Sequence, residues 1–178
     1  MARIILVCAL LGCLVACRGA PAGGKLSVVA STNVYGDIAR QIGGSYVSVT
    51  SVLTDPNADP HLFEPGTANG LSVSRARVVI ENGLGYDAFM SRLEQAAPSD
   101  ERRSVTISDV LGVHGRSANP HLWYDVPALG KIAAAVQETL ADVDAVHAAD
   151  YRRGRRRFVA SLAPLRGAVA AVRGAHPG

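Results

Sequence analysis

Short apolar runs alternate along the chain with segments in which apolar residues recur every three or four positions. Leu26–Ala30 and Val78–Ile80 are typical of buried strands, and Val34, Ile38 and Ile42 share one face of a helix between them. This alternation of strand and helix predicts an α/β fold, a parallel sheet with helices on both faces. In such sheets ligands bind in the loops beyond the carboxyl ends of the strands.

The same pattern predicts the other elements of this sheet. A β-branched stretch over Val47–Leu53 indicates a second strand, and Val105–Ile107 indicates a fourth. The polar, proline-rich segment Thr54–Pro65 predicts a loop, and a weak helix is expected over Ala68–Ala76. One further helical face is formed by Tyr86, Phe89, Met90, Leu93 and Ala97.

The last third of the chain is predicted to be helical. Asp125 and Pro127 are start signals for an amphipathic helix that reaches Val143. Helical spacing of apolar residues then continues from Tyr151 to Val172, about six turns. This spacing predicts one long final helix with its own apolar stripe.

The N-terminal segment is predicted to be a targeting signal. Arg3 precedes thirteen uncharged residues, Ile4–Ala16, which suit a signal-peptide core but are too short for a membrane span. Leu14–Cys17 resembles a bacterial lipobox, in which the cysteine is lipidated. We therefore expect a lipoprotein signal peptide over residues 1–16, lipidation of Cys17 and a small-residue tether over 17–24. A plain secretory signal or a buried N-terminal helix is the alternative.

Composition and charge narrow the function classes. The 178 residues are 48% hydrophobic and 19% charged, which excludes a disordered or collagen-like chain. A formal net charge of +3 gives no indication of nucleic-acid binding. All three cysteines lie at or before Cys17, so the sequence after Cys17 has no thiol for a disulfide or a metal.

Two similar phrases carry the candidate chemistry. Asp59–Pro65 and Asn119–Asp125 each contain an Asx-Pro turn followed by a histidine, His61 or His121. A proline has a fixed φ, which limits where the imidazole that follows it can point. Histidine is also the commonest metal ligand, so the phrases favour a preorganised metal site. The plainer interpretation is two turn residues that happen to be histidine. Neither a metalloprotease, a phosphate-loop nor a serine-hydrolase motif is present.

The sequence resembles the periplasmic zinc- or manganese-binding lipoproteins of metal ABC transporters, the cluster A-I solute-binding family. The resemblance rests on ordered segments: the Val28–Ala30 strand, Ile42–Gly44, Asp59–Pro65, Ala76–Gly85, Asn119–Asp125 and Ala149–Tyr151. It implies a non-enzymatic protein that captures Zn²⁺ or Mn²⁺ outside the cytoplasmic membrane and delivers the ion to an ABC permease. It also implies that His61 and His121 bind the metal. Glu64 and Asp125 are the acidic residues of the same two phrases, and we expect them to orient the imidazoles without binding the ion themselves.

Members of that family have two lobes joined by a long helix, and the second lobe supplies the other two metal ligands. We therefore expect a metal-binding lobe over residues 25–146 and the linking helix over 147–178, with the second lobe absent. Two imidazoles alone should hold a metal weakly, because water fills the other positions. Imidazole ligands favour zinc over manganese.

Two other functions remain open at this point. A lipoprotein metallohydrolase would use His61 and His121 as ligands and Asp59 or Glu64 as base, whereas an isolated lobe would act only as an adhesin-like surface domain. Of the other histidines, His147 and His176 are expected to be solvated. His114 lies in the loop before Asn119, where some zinc-specific relatives have a His-rich loop, but a single histidine does not form such a tract. The arginine-rich segment Arg152–Arg157 is interpreted as a solvated helix face near anionic headgroups and not as a nucleic-acid site.

Overall fold

The computed structural model describes residues 24–55, 57–115 and 117–176. The signal peptide, Cys17 and nearly all of the tether lie outside these residues. Four strands form one parallel sheet in the order β2-β1-β3-β4. Their bounds are β1 Leu26–Thr32, β2 Val47–Leu53, β3 Val78–Glu81 and β4 Arg103–Thr106.

Seven α-helices accompany these strands in the described part of the chain. They are α1 Asn33–Gly43, α2 Thr67–Ser74, α3 Ala88–Ala96, α4 Ile107–Leu111, α5 Leu129–Val143, α6 Ala148–Ser161 and α7 Ala163–Ala175. Single 3-10 turns cover Gly44–Tyr46, Leu122–Tyr124 and Ala145–His147.

The sheet is buried on both faces, as its apolar runs predict. Val28 and Ala30 of β1 point into a large core with α1, α5 and α6, whereas Val29 points into a smaller core with α2 and α3. Successive residues of a strand face opposite sides, so this alternation places helices on both faces. The predicted α/β architecture is confirmed.

The predicted long final helix is present, and it has a break at Leu162 that divides it into α6 and α7. α6 ends at Ser161 and α7 begins at Ala163, with Leu162 between them. Pro164 lies in the first turn of α7 and has no amide hydrogen to continue the ladder of α6. The preceding helix, α5, starts at Leu129 and not at the Asp125 and Pro127 signals, which lie in the turns before it.

α7 lies on the surface, with no buried residue. The continuous helical stretch Ala145–Ala175 has the length and apolarity of a membrane span, which is weak evidence by itself. α6 makes up the first half of this stretch and packs on α1 and α5. Its five arginines oppose burial of that half in hydrocarbon.

Candidate metal centre

The strand order changes direction between β1 and β3, and the candidate site lies beyond their carboxyl ends. β1 is followed in sequence by β2 on one side of it, whereas β3 and β4 lie on the other side. The loops after these two strands therefore diverge and leave a crevice, which is where doubly wound sheets bind ligands.

The loop after β2 presents His61. The Asp59 carboxylate accepts a hydrogen bond from the His61 amide over 2.8 Å, and the Asp59 carbonyl accepts one from the Leu62 amide over 3.2 Å. Together with Pro60 these bonds form an Asx turn. The His61 side chain is exposed, so its ring is accessible to an ion from solvent.

The loop before α5 presents His121 in the same way and adds a bond to the ring. The Asn119 Oδ1 accepts a hydrogen bond from the His121 amide over 3.0 Å and another from Nδ1 over 2.8 Å. An amide oxygen is only an acceptor, so Nδ1 carries the proton and Nε2 keeps its lone pair. The Nε2 atom of His121 is therefore available as a metal ligand.

Asn82 fastens the His121 loop to the end of β3. Its Nδ2 donates to the Pro120 carbonyl over 3.0 Å, and its Oδ1 accepts from the Tyr35 hydroxyl over 2.5 Å. Asn82 is fully buried. Burial, followed by the nearby Asp87 carboxylate, raises the pKa of Tyr35, so its hydroxyl stays a donor. The side-chain amide of Asn82 thus connects the sheet, α1 and the loop that presents His121.

A strained turn places Tyr86 beside the two histidines. Gly83, Leu84 and Gly85 all have positive φ, and a side chain at Gly83 would clash with Ser108. The buried Asp87 carboxylate closes this turn by accepting hydrogen bonds from the amides of Asn82 and Gly83.

The Tyr86 ring then lies against both imidazoles. Its centroid is 6.1 Å from that of His61 and 5.8 Å from that of His121. The helical spacing of apolar residues predicts Tyr86 on the face of α3, but α3 begins at Ala88, so this prediction is wrong. The glycines on either side of Leu84 were the available signal for a turn.

Aromatic side chains surround His121. The only tryptophan, Trp123, lies 5.5 Å from its ring, and Tyr124 lies at 6.3 Å. Trp123 also contacts Tyr86 and Tyr35, at 5.0 and 6.3 Å between centroids. Burial, with smaller contributions from Asp87, Tyr124 and Asp59, raises the pKa of Tyr86, which therefore stays neutral beside the imidazoles.

A small cleft of about 180 Å³ adjoins this aromatic group. Thr32, at the start of α1, lines it together with Tyr86 and Trp123. The Thr32 and Ser31 hydroxyl oxygens are buried without a hydrogen-bond partner among the described residues. Buried hydroxyls of this kind are usually satisfied by ordered water, which the cleft has room to hold.

The described residues bring two histidines to this site and no third protein ligand. No group of three His, Cys, Asp or Glu side chains suited to a metal occurs among them. Glu64 and Asp125 are exposed, and within the described chain neither carboxylate bonds to an imidazole. Their part in metal binding stays a prediction. The groups that bond to the His61 and His121 turns are Asp59 and Asn119, the Asx residues before each proline.

The remaining histidines lie elsewhere. His114 is exposed, with Nδ1 3.9 Å from the Asp109 carboxylate, and His176 is exposed at the end of α7, as expected. The expectation for His147 is wrong. It is half-buried, stacks on Tyr46 at 4.0 Å and hydrogen-bonds Asp144 over 2.7 Å. The sequence offered no sign of this contact, because Tyr46 is 101 positions away.

Known proteins are similar to this chain in sequence. The family described as zinc-uptake complex component A, periplasmic, matches residues 28–177. The manganese-binding lipoprotein MntA of Bacillus subtilis is 26% identical over 161 residues, which cover 86% of this chain and 52% of the lipoprotein. The protein of the same name from Halalkalibacterium halodurans is 29% identical over 167 residues and covers 91% and 55%. The chain thus spans about half of these relatives.

A solved structure shares the fold. The Mn-bound periplasmic metal binding protein of Candidatus Liberibacter asiaticus superposes with a TM-score of 0.72 at 22% identity. The superposition covers 82% of this chain and 57% of that protein. At this level of identity the likeness establishes the fold alone.

Proposed function

Since the chain belongs to the zinc-uptake complex component A family, we propose that it captures Zn²⁺ or Mn²⁺ outside the cytoplasmic membrane and delivers the ion to an ABC permease. The observation that carries this proposal is that His61 and His121, 60 positions apart, both lie beside the Tyr86 ring, at 6.1 and 5.8 Å between centroids. The ion is cargo, and His61 and His121 are its proposed ligands. No chemical step on a substrate is proposed.

Three features of the site support metal capture. Both imidazoles are exposed, the Nε2 of His121 keeps its lone pair, and each histidine follows a proline in a hydrogen-bonded Asx turn. Rigid turns reduce the entropy that is lost when two ligands are brought to one ion. Imidazole suits zinc better than manganese, so zinc is the proposed preference of these two ligands.

The length of the match supports a two-lobe organisation. The manganese-binding lipoproteins are about twice as long as the part that matches this chain. We propose residues 25–146 as the metal-binding lobe and residues 147–178 as the linking helix. Further ligands would come from a second lobe, so this chain alone should bind zinc orders of magnitude more weakly than a two-lobe protein.

The proposed location is the outer face of the cytoplasmic membrane, with a lipid on Cys17 as anchor. The relatives are named lipoproteins, and Leu14–Cys17 follows an uncharged segment of signal-peptide length. Stable anchoring needs more than one acyl chain or a second membrane contact.

Calorimetric titration of the chain with Zn²⁺ tests the metal site. His61→Ala and His121→Ala should abolish binding, because a single exposed imidazole cannot compete with water and buffer. His114→Ala and His176→Ala remove exposed histidines away from the site and should bind like the unmodified chain. Retention of zinc by both site variants would refute the proposal. Zinc-dependent ester hydrolysis lost in the same variants would favour the metallohydrolase instead.

A further inference from the structure

The whole basic excess of the protein lies on one helix. α6 carries five arginines and one aspartate, a formal charge of +4, whereas the whole chain carries +3. The charges on the rest of the chain therefore nearly cancel. Four of the five arginines are exposed, and we call them the arginine face: Arg152, Arg153, Arg156 and Arg157.

Packing fixes the direction of this face. Tyr151, Gly154 and Phe158 are the buried residues of α6, three and four positions apart. At Gly154 the helix approaches α1 so closely that a Cβ atom would lie 2.1 Å from the Ile42 carbonyl oxygen. The glycine that interrupts the arginine run is thus the contact point, and the arginine face is turned to solvent.

Most of this charge is not neutralised by carboxylates among the described residues. Arg153 pairs with Asp150 one turn before it. Within the described chain no carboxylate pairs with Arg152, Arg156 or Arg157. Guanidinium groups bind phosphate oxygens in a bidentate manner, so a cluster of unpaired ones is suited to a phosphate-bearing surface.

The arginine face lies close to the point where the tether joins the lobe. Gly24 and Lys25 line a cleft of about 270 Å³ with Asp144 and His147, which immediately precede α6. The seven residues 18–24 span at most about 25 Å when extended, and α6 is about 21 Å long. A lipid on Cys17 therefore holds the whole arginine face within reach of headgroups. The metal loops lie at the opposite, carboxyl edge of the sheet.

We propose that the arginine face binds anionic lipid headgroups of the membrane that carries the lipid anchor. The proposal rests on the proposed membrane location and not on metal binding. Each basic side chain near an anionic surface strengthens binding about fivefold, and the effect falls with salt. The two acyl chains of a diacylglyceryl group on Cys17 are sufficient for anchoring. The arginine face would instead orient the anchored lobe on the membrane, with the His61 and His121 loops at the opposite edge of the sheet.

Vesicle flotation of the full chain tests the proposal. Every sample carries Cys17→Ala, so no lipid is added and the apolar N-terminal segment contributes equally throughout. Binding to phosphatidylcholine vesicles that contain phosphatidylglycerol should exceed binding to phosphatidylcholine alone by about tenfold or more at low salt. High salt should remove the difference.

Two variants of equal net charge separate the arginine face from overall charge. The first replaces the face with Arg152→Gln, Arg153→Gln, Arg156→Gln and Arg157→Gln. The control replaces four exposed basic residues that lie off α6 and do not line the cleft at Gly24 and Lys25, with Arg92→Gln, Lys131→Gln, Arg166→Gln and Arg173→Gln. Only the first should lose the preference for phosphatidylglycerol, and both should keep zinc binding. Equal loss in the two variants would overturn the proposal.

Two further measurements test whether the first variant folds and whether nucleic acid binds better than the vesicles. Gln and Arg have similar helix propensity, so folding of the first variant should persist, and circular dichroism checks it. Should it fail to fold, Arg152→Gln with Arg156→Gln is expected to lose about half of the effect on a logarithmic scale. Tighter binding of duplex DNA than of the anionic vesicles at the same salt would overturn the proposal in favour of a nucleic-acid partner.

Discussion

The side-chain amide of Asn82 donates a hydrogen bond to the backbone carbonyl of Pro120 over 3.0 Å. These residues lie 38 positions apart, and the bond joins the end of β3 to the loop that presents His121. The same amide accepts from Tyr35 of α1. The position of a proposed metal ligand therefore depends on a buried residue that touches no metal.

Asn82→Ala should lower both stability and zinc affinity. It leaves the Tyr35 hydroxyl and the Pro120 carbonyl without their partner, which costs about 2–4 kcal/mol of unfolding free energy. Loosening of the His121 loop should weaken zinc binding about tenfold or more. Tyr35→Phe is the matched control, because it removes one bond and spares the Pro120 contact. Denaturant unfolding and calorimetry should show a stability loss in both variants and an affinity loss only in Asn82→Ala.

Asn119→Ala should weaken zinc binding with little effect on stability. The Asn119 oxygen accepts the hydrogen bond that keeps the proton of His121 on Nδ1. Without Asn119 the ring can adopt the other tautomer and other orientations. We expect about a tenfold to hundredfold loss of affinity. Asp59→Ala is the control, since Asp59 bonds to a backbone amide and to no ring. Nitrogen NMR of His121 should show mixed tautomers in Asn119→Ala alone, and an unchanged tautomer would contradict this role.

Glu81→Gln should stabilise the protein above neutral pH. Burial raises the pKa of Glu81 to about 7, against an opposing hydrogen bond from Thr106. A carboxyl with a raised pKa contributes stability at low pH that is lost as the pH rises through the folded value. At pH ~8 the free energy of unfolding of the glutamine variant should therefore exceed that of the native protein by about 1–2 kcal/mol. This is less than the full pKa shift of Glu81 corresponds to, because the carboxyl is partly exposed and screened by solvent.

Unfolding at pH ~5 and pH ~8 checks the Glu81 prediction. The gain should shrink at the lower pH, where the native carboxyl is protonated. Glu138→Gln, an exposed position on α5, serves as the control and should show no such dependence. A gain of equal size at both pH values would mean that ionisation of Glu81 is not the cause.

Asp144→Asn should destabilise the junction of α5 and α6. Burial acts to raise the pKa of Asp144, but hydrogen bonds from Tyr151 and His147 outweigh it and lower the pKa. The stability from a lowered carboxyl pKa is present above the unfolded value, about 3.9, and is lost as the pH falls through the folded value. We expect a cost of about 1–2 kcal/mol at neutral pH.

The cost of Asp144→Asn should shrink as the pH falls through the lowered folded pKa of Asp144 and the native carboxyl becomes protonated. Acid titration of unfolding, followed by circular dichroism, measures it. Asp142→Asn, an exposed neighbour on α5, should leave the fall in unfolding free energy at acid pH unchanged. The prediction fails if the two variants behave alike.

Cys17→Ala should move the protein from the membrane to the soluble fraction or leave it as uncleaved precursor. Without the thiol no diacylglyceryl thioether forms, so the hydrophobic anchor is lost. Detergent phase separation and gel migration report both outcomes. Cys13→Ala lies in the same segment outside the proposed lipobox and should behave like the unmodified protein. If Cys17→Ala does so as well, the lipobox interpretation is wrong.

The local pattern of the sequence was sufficient for the α/β architecture. Runs such as Val78–Ile80 are apolar on both sides, and only a sheet covered on both faces buries them. The sequence also singled out His61 and His121, because an Asx-Pro turn is formed by neighbouring residues. Helix ends were less predictable from periodicity. α5 starts at Leu129, after the turns that contain Asp125 and Pro127, and α6 ends at Ser161, before Pro164, although the helical spacing of apolar residues continues past that end.

The supports of the site were decided by the tertiary structure. Tyr86 lies beside both histidines because three successive positive φ angles turn the chain there, whereas periodicity alone assigned it to α3. Asn82 and His147 act through partners 38 and 101 positions away. Such contacts arise from the crossing of loops at one edge of the sheet and the packing of α6 on α1. Short-range spacing specifies turns and faces, whereas these partners are set by how the faces pack.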